Sequence, residues 1–412
     1  MKWGDIVPEN LQPKGMDSTR HFSVPDSHGF DHGGQVHHYA TLHGTSVNDI
    51  IDFSANINPL GPPALVLNAM QAALSVVRHY PDPNHTAVKE VLAQHFRVKP
   101  SQILCGNGAS EVIDLLLQSL KPQRVVVLEP AFSEYRKSAQ RHGIPVLAVS
   151  LLGTWNPSVQ PSASSQHLFP RDLDDGRPVP IRLPLDELNI ILRPGDLVFL
   201  NTPHNPTGAC FKPREWMTNA KEWQERGVRV VVDESFLDFL PDETQYTAIQ
   251  QAVQSESLFI IRSATKFYAL PGLRFGFAIG PSGHFHNIED LRDGWSVNQL
   301  AQIAAAVAYK DKGFQRDTWE WLQAEQQHVR QIWAEIPNTT LYMGQVNFFL
   351  LHFHHPGTGQ LVEQHLHSRG MLIRNCSTFA GLKSGFYRIA IRTETENLVL
   401  YQEVTSYLET LK

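Results

Sequence analysis

The sequence predicts an α/β protein in which a large, mostly parallel sheet carries helices on both faces and a smaller α/β domain follows. Short β-branched runs alternate with segments whose apolar residues recur at helical spacing, as in βαβ units. After about residue 285 this rhythm changes to long helices. A chain of 412 residues, 42% of them hydrophobic, is long enough to bury the cores of two domains.

The predicted large domain spans residues 61–290, and its elements follow from hydrophobic periodicity. Its predicted helices include Leu65–Val77, Val88–Phe96 and Val112–Leu120, and its predicted strands are Arg124–Glu129, Val146–Leu151, Asp196–Asn201, Val228–Asp233, Leu258–Arg262 and Phe275–Gly280. In open parallel sheets, ligands bind beyond the carboxyl ends of the strands. Functional side chains are therefore expected just after these strands.

The rest of the chain is predicted to form an arm (1–30), a segment that packs with the small domain (31–60), and the small domain itself (291–412). The predicted elements of the small domain include Gln299–Asp311, Phe314–Ile336, Asn347–Phe353 and Gly359–His367. Residues 153–184, rich in Pro, Ser and Gly, are predicted to be a surface insertion in the large domain. Both a disordered stretch and an ordered flap over the site agree with this composition.

The composition argues against several classes of function. A formal net charge of -6 gives no reason to expect nucleic acid or an anionic membrane as a partner. The three cysteines lie far apart, so neither a disulfide framework nor a zinc-type CxxC pair is indicated. The polar N-terminus lacks the apolar core of a secretory signal, and no apolar run approaches the ~18 residues of a membrane span. We expect a cytoplasmic protein.

A lysine with the surroundings of a reactive amine follows the predicted strand Leu258–Arg262. In the motif SATKFYALPGLR, Lys266 has the hydroxyls of Ser263 and Thr265 before it and Arg274 eight positions after it. Hydroxyl donors and a fixed cation are the partners that a phosphate monoester requires. A lysine beside a bound phosphate can form a Schiff base with an aldehyde, although an isolated lysine is more often merely solvated.

Two other strand ends carry polar side chains suited to a cofactor with an aromatic ring. Asn205, in the turn NTPHNPTG, has an amide that could donate to a phenolic oxygen, although the motif alone is also ordinary turn chemistry. Asp233 ends a buried strand, where a carboxylate is costly unless it is paired. A pyridinium nitrogen would pair it and stay protonated as an electron sink. Ser235, two residues later, would then lie under the ring.

Two weaker signals lie earlier in the chain. In CGNGASE, Ala109 and Ser110 stand at a helix start, where free backbone amides can hold a phosphate. In EPAFSEY, Phe132 could stack on the ring, although a lone aromatic of this kind is more often part of a core. Each signal is modest alone, and their common order and spacing make the set specific.

Together these motifs resemble the fold type I pyridoxal-phosphate enzymes, which share the aspartate aminotransferase fold. The resemblance rests on Gly-Asn-Gly-Ala-Ser, Pro-x-Phe-x-x-Tyr, Asn-Pro-x-Gly, Asp-x-x-Phe and Ser-x-x-Lys, followed by arginine eight residues later. It implies pyridoxal 5'-phosphate as the cofactor and Lys266 and Asp233 as the catalytic residues. The implied cofactor-binding residues are these two together with Ala109, Ser110, Phe132, Asn205, Ser235, Ser263, Thr265 and Arg274.

Within this class the chain resembles histidinol-phosphate aminotransferases and, more closely, the threonine-phosphate decarboxylases of cobalamin biosynthesis. The closer resemblance rests on DHGGQ, DFSANINPLG, DESFLDF and YRIAIRT, which begin at Asp31, Asp52, Asp233 and Tyr387. Phe236 stands where the aminotransferases usually have a tyrosine that hydrogen-bonds the cofactor. The insertion and the arm depart from the family pattern.

The resemblance also implies residues that meet the substrate and a partner subunit. The motif RHYPDP resembles a family segment whose tyrosine, here Tyr80, reaches the cofactor phosphate of the partner, which implies a homodimer with shared sites. Arg388 resembles the arginine that binds the substrate carboxylate, and Arg374 one that meets a substrate phosphate, with surface ion pairs as the alternative. The weaker substrate-binding candidates are Asn56, His32 and Gly33.

The resemblance predicts decarboxylation of O-phosphothreonine, a small phosphorylated amino acid. Transamination of histidinol phosphate or a similar compound would use the same parts, because the two reactions differ only in which Cα bond lies perpendicular to the ring. A cofactor-binding regulatory module is a third hypothesis, which we disfavour because no DNA-binding domain is evident.

His352 and His354 could share one strand face, but no Cys or acidic partner joins them, so we expect no metal.

Overall fold

The computed structural model describes residues 33–151 and 181–412. Its helices are α1 (Val36–His43), α2 (Ala64–Ala72), α3 (Thr86–Phe96), α4 (Ala109–Leu120), α5 (Ser133–Arg141), α6 (Leu185–Ile191), α7 (Pro213–Glu225), α8 (Ile249–Ala252), α9 (Ala264–Phe267), α10 (Ser282–Glu289), α11 (Gln299–Ala308), α12 (Lys312–Trp333), α13 (Pro356–Ser368) and α14 (Glu394–Thr410). The predicted arm and most of the predicted insertion lie outside the described residues. Within those residues, no helix is long and apolar enough to cross a membrane.

The strands form a large sheet, a small sheet and a short pair. They are β1 (Ile51–Asp52), β2 (Ile103–Gly106), β3 (Arg124–Glu129), β4 (Val146–Ser150), β5 (Asp196–Asn201), β6 (Arg229–Asp233), β7 (Leu258–Ser263), β8 (Gly276–Ile279), β9 (Thr339–Met343), β10 (Phe348–Phe353), β11 (Met371–Leu372), β12 (Arg374–Asn375) and β13 (Phe386–Ala390).

The large sheet has seven strands in the order β2-β8-β7-β6-β5-β3-β4. Neighbouring strands are parallel except at β8, which is antiparallel to both β2 and β7. Strands β5 and β7 are buried along their whole length, which explains why their sequences are continuous apolar runs without alternation. The predicted α/β fold with a mostly parallel sheet is confirmed.

The small sheet has four antiparallel strands in the order β12-β13-β10-β9 and packs against the C-terminal helices α12 and α13. The N-terminal segment joins this part of the molecule, because β1 pairs in parallel with β11. Residues 51–52 therefore lie beside the C-terminal elements and outside the large sheet. The predicted limits of the domains stay predictions.

Several predicted elements end at other residues in the structure. The predicted helix Leu65–Val77 is α-helical only from Ala64 to Ala72 and continues as a 3-10 helix from Leu74 to Arg78. Leu74 and Val77 are 54% and 67% exposed, so the apolar spacing there does not reflect burial in the core of this chain. Ile181 and Leu183, at the C-terminal end of the predicted insertion, pack against the core.

Candidate active site

A cavity of about 430 Å³ lies at the carboxyl ends of the central strands of the large sheet, as expected for this sheet type. The N-terminal segment and the small sheet supply its other wall. Most of the predicted site residues line this one cavity: Gly33, Asn56, Ala109, Ser110, Phe132, Asn205, Asp233, Ser235, Ser263, Thr265, Lys266, Arg274, Arg374 and Arg388.

Lys266 is held in the short helix α9, directly after β7. At the start of α9, the hydroxyl of Ser263 accepts a hydrogen bond from the backbone amide of Thr265 (3.4 Å). At its end, Asn58 donates its backbone amide to the carbonyl of Lys266 (3.0 Å) and its side-chain amide to the carbonyl of Phe267 (2.8 Å). A helix too short to be stable alone is thereby fixed at both ends by side chains.

The amine of Lys266 lies in a positively charged environment. Burial, followed by the charges of Arg388 and Arg274, lowers the pKa of the Lys266 ammonium to about 8, while Asp52 opposes this shift. A lysine with such a pKa has a substantial neutral fraction near physiological pH. The neutral amine is the form that attacks an aldehyde.

Asp233 ends β6 and is almost fully buried. One carboxylate oxygen accepts the backbone amide of Ser235 (2.9 Å), and the other accepts the hydroxyl of Tyr135 (2.6 Å). Burial raises the pKa of the Asp233 carboxyl, and these two hydrogen bonds lower it. The ring of Tyr135 stacks on Phe199, with centroids 4.5 Å apart and planes 8° apart.

The start of α4 and the side chain of Arg274 form a corner suited to an anion. Gly108, at φ 85°, precedes α4, and a Cβ at this position would collide with the guanidinium of Arg274. A Cβ on Gly276 would likewise collide with the backbone of Ala109. The hydroxyls of Ser263 and Thr265, 2.7 Å apart, line the same cavity. Helix amides, hydroxyls and a guanidinium are donors suited to a phosphate.

The guanidinium of Arg388 joins three parts of the chain. From β13, it donates to the side-chain oxygen of Asn205 (2.5 Å) and to the carbonyl of Ser54 (2.7 Å). Because its oxygen accepts from Arg388, Asn205 can present its amide nitrogen to a ligand. Burial lowers the pKa of Arg388 to about 10, so this group stays charged at neutral pH.

Arg374 lies directly opposite Arg388 on the neighbouring strand, and both side chains line the cavity. Residues opposed in this way point to the same face of a sheet. Arg374 donates to the hydroxyl of Thr378 (2.7 Å), and its guanidinium lies over the ring of Phe379 at 5.4 Å. The small sheet therefore presents two buried, adjacent cations to the cavity.

The side-chain amide of Asn56 lines the cavity, is 1% exposed and has no hydrogen-bond partner within the described part of the chain. Buried polar groups are normally satisfied, so a ligand with polar atoms is expected there. The cavity also contains an amine that can attack an aldehyde (Lys266), a carboxylate that can pair with a pyridine nitrogen (Asp233) and, at α4 and Arg274, a corner suited to a phosphate. The residues present fit pyridoxal 5'-phosphate.

Some predicted residues lie elsewhere. Tyr80 does not line the cavity; it is 78% exposed and stacks on Trp295 at a centroid distance of 4.4 Å. His32 lies outside the described residues. His354 hydrogen-bonds to Thr340, and the ring of His352 stacks on Phe386. Within residues 33–151 and 181–412, no three potential metal ligands of the His, Cys, Asp or Glu type come together.

Sequence reasoning assigned no role to two residues that contact the site. Tyr135 belongs to the motif that supplied Phe132 and lies in the first turn of α5, which begins directly after Phe132. Asn58 stands in the motif DFSANINPLG, but nothing local indicates that it caps the lysine helix. The motif EPAFSEY could have drawn attention to Tyr135, whereas Asn58 acts through a contact 209 residues away in sequence.

The sequence profile described as aminotransferase class I and II matches residues 48–403. The chain belongs to this family. It is 33% identical over 368 residues to the threonine-phosphate decarboxylase of Salmonella typhimurium, across 89% of this chain and 93% of that protein. It is 25% identical to the histidinol-phosphate aminotransferase of Methanosphaera stadtmanae, across 87% of this chain and 90% of that protein.

A solved structure supports the fold of this family member. The histidinol-phosphate aminotransferase of Sinorhizobium meliloti, in complex with pyridoxal 5'-phosphate, has a TM-score of 0.75 at 19% identity and covers 94% of this chain and 100% of that one. The predicted aspartate-aminotransferase-like fold type I is confirmed, and so is pyridoxal 5'-phosphate as the cofactor. The protein is a pyridoxal-phosphate-dependent enzyme.

The lowered pKa of Lys266 predicts the pH dependence of cofactor uptake. Because only the neutral amine attacks the aldehyde, the rate constant for pyridoxal phosphate binding to the apoenzyme should rise with pH and level off above about 8. Stopped-flow absorbance on apoenzyme would measure this profile. Arg388→Gln should move the midpoint to higher pH, because a neighbouring positive charge is removed. A midpoint near the ordinary lysine pKa of 10.5 in the unmodified protein would show that the pKa of Lys266 is not lowered.

Proposed function

We propose that this enzyme decarboxylates L-threonine O-3-phosphate to (R)-1-aminopropan-2-yl phosphate in cobalamin biosynthesis. The observation that carries the proposal is the pair of buried guanidiniums, Arg374 and Arg388, on opposed strand positions beside Lys266. A substrate with a carboxylate and a phosphate has about three negative charges at neutral pH, and planar multi-donor groups bind both anions well. The activity named for the Salmonella typhimurium relative agrees with this substrate.

The number of anion sites in the cavity matches the number of anionic groups to be bound. The corner at α4 and Arg274 would take the cofactor phosphate, since the start of α4 lies against the Arg274 guanidinium and both line the cavity. That assignment leaves Arg374 and Arg388 for the two anionic groups of the substrate. We assign the carboxylate to Arg388 and the phosphate to Arg374, with Asn56 and Gly33 on the substrate side.

The chain's own residues would then orient the reaction. When bound, pyridoxal phosphate supplies a ring that accepts the electrons released as a bond to Cα breaks. Asp233 would pair with the ring nitrogen, and Ser235 and Phe132 would lie against the ring. Lys266 can take up or release a proton at Cα near neutral pH, because its pKa is lowered to about 8.

Transamination of histidinol phosphate or a related phosphorylated amino acid is the second candidate function. It is favoured by the similarity to the Methanosphaera stadtmanae enzyme. Phe236 weighs against it, because this buried side chain packs edge-to-face on Phe348 at 5.2 Å and has no hydroxyl to offer the cofactor. No observation favours a regulatory role without catalysis.

The two reactions give different products from one substrate. We expect the purified enzyme with O-phospho-L-threonine to release carbon dioxide and form aminopropanol phosphate without any keto acid. A coupled carbon dioxide assay and mass spectrometry of the product would measure this, with Lys266→Ala as the inactive control. Amino transfer to 2-oxoglutarate without carbon dioxide release would instead support the second candidate.

The two arginines should differ in the substrates they affect. Removing one partner of a buried charge pair costs about 2–5 kcal/mol, so Arg374→Ala should lower kcat/KM for phosphothreonine by roughly two to three decades. The same change should affect unphosphorylated threonine far less, while Arg388→Ala should affect both. Arg369→Ala, which removes a cation paired with Glu403 away from the cavity, is the matched control. If Arg374→Ala lowers kcat/KM equally for phosphothreonine and for threonine, Arg374 does not bind the substrate phosphate.

We also propose that the enzyme acts as a homodimer in which Tyr80 completes the site of the partner subunit. Tyr80 and Trp295 form an exposed aromatic pair, and exposed Leu74 and Val77 lie on the turn just before Tyr80. A concentration of apolar side chains of this kind is typical of a protein–protein interface. The proposal rests on the family resemblance and on this exposure.

Hybrid dimers test the shared site. Tyr80→Ala and Lys266→Ala, each with little activity alone, should regain part of the activity when mixed and re-associated, because one site in each hybrid then has both residues intact. A steady-state assay after subunit exchange would measure the recovery. The matched control mixes Lys266→Ala with Asp233→Asn, whose residues lie in one cavity, and should show no recovery. Absence of recovery in the first mixture, with exchange demonstrated, would contradict the shared site.

A further inference from the structure

The hydroxyl of Tyr135 reaches Asp233 across an intervening strand. Tyr135 lies in the first turn of α5, after β3, whereas Asp233 ends β6, and β5 runs between these strands. The stack on Phe199 of β5 places the Tyr135 ring over that strand, so its hydroxyl meets the carboxylate at 2.6 Å. Both residues are buried and both line the cavity. This contact therefore belongs to the floor of the site.

The direction of this hydrogen bond is determined by the two groups. Burial raises the pKa of the Tyr135 phenol well above its ordinary value, so the phenol keeps its proton and acts as the donor. A donor to a carboxylate stabilises the ionised form, and the hydrogen bonds from Tyr135 and Ser235 lower the pKa of Asp233 against the effect of burial. Without the hydroxyl, Asp233 would be a stronger base.

The basicity of Asp233 decides where a shared proton lies. A pyridine nitrogen paired with a buried carboxylate stays protonated only while the carboxylate is the weaker base of the two. We propose that Tyr135 is a positioning residue that keeps the proton on the cofactor's ring nitrogen by donating its hydroxyl hydrogen to Asp233. This inference rests on the proposed pairing of Asp233 with that nitrogen and does not depend on the identity of the substrate.

The test uses holoenzyme reconstituted with pyridoxal phosphate labelled with ¹⁵N in the ring. The ¹⁵N chemical shift reports protonation of the nitrogen directly, and a purely structural role of Tyr135 would leave it unchanged. In Tyr135→Phe, which keeps the stacked ring, the shared proton should move toward Asp233, so the ¹⁵N resonance at neutral pH should shift toward that of an unprotonated pyridine. The ratio of protonated to unprotonated nitrogen should fall by about tenfold or more, the effect expected for one hydrogen bond to a charged group. Cofactor affinity should fall by about tenfold or more.

A second buried tyrosine supplies the matched control. Tyr387 also donates its hydroxyl to a buried carboxylate, that of Glu363 at 3.3 Å, and does not line the cavity. Tyr387→Phe loses the same atom from a similar environment, so any general effect of the change on packing appears in both variants. We expect Tyr387→Phe to leave the ¹⁵N chemical shift where it is in the unmodified enzyme.

Asp233→Asn separates failure of this inference from failure of the pairing on which it rests. If Asp233→Asn shifts the ring nitrogen resonance and Tyr135→Phe does not, the role of Tyr135 is overturned while the pairing stands. If neither variant changes the resonance, Asp233 does not pair with the nitrogen and both are overturned. A shift in Tyr135→Phe equal to that in Tyr387→Phe would also overturn the inference, because it would report a general change in packing.

Discussion

The two hydrogen bonds of the Arg388 guanidinium hold the parts of the site together. This single buried group links the small sheet to the turn that carries Asn205 and to the backbone of Ser54 in the N-terminal segment. Each of these parts supplies residues that line one cavity. Because the charge of Arg388 is desolvated, its hydrogen bonds are costly to break.

The excess of positive charge around the cavity explains both its reactivity and its ligands. Lys266, Arg274, Arg374 and Arg388 all line it. The cations beside Lys266 lower the pKa of its ammonium and so increase the neutral amine at physiological pH. The same cations attract the anionic phosphate of the cofactor. One charge distribution therefore activates the lysine and suits the cavity to anionic ligands.

Much of the fold and of the site could be predicted because each motif is local. Asp233 ends a buried strand, Asn205 and Lys266 each follow one, and the carboxyl ends of parallel strands meet at one edge of a sheet. The helix predicted from Leu65 to Val77 was too long, because apolar spacing does not show whether a side chain is buried or exposed. The contact of Tyr135 with Asp233 could not be predicted, because it depends on which strand lies between β3 and β6.

By itself, the sequence determined the types of most elements, the edge of the sheet at which polar side chains gather, the family and its cofactor. Only the tertiary structure decided that Arg388 meets Ser54, 334 residues away, that Arg374 lies opposite Arg388, and that Asn58 caps the helix of Lys266. The physical reason is that local periodicity and turn chemistry report burial and direction within one segment. Contacts between segments depend on strand order and on the packing of the whole chain, which no single motif contains.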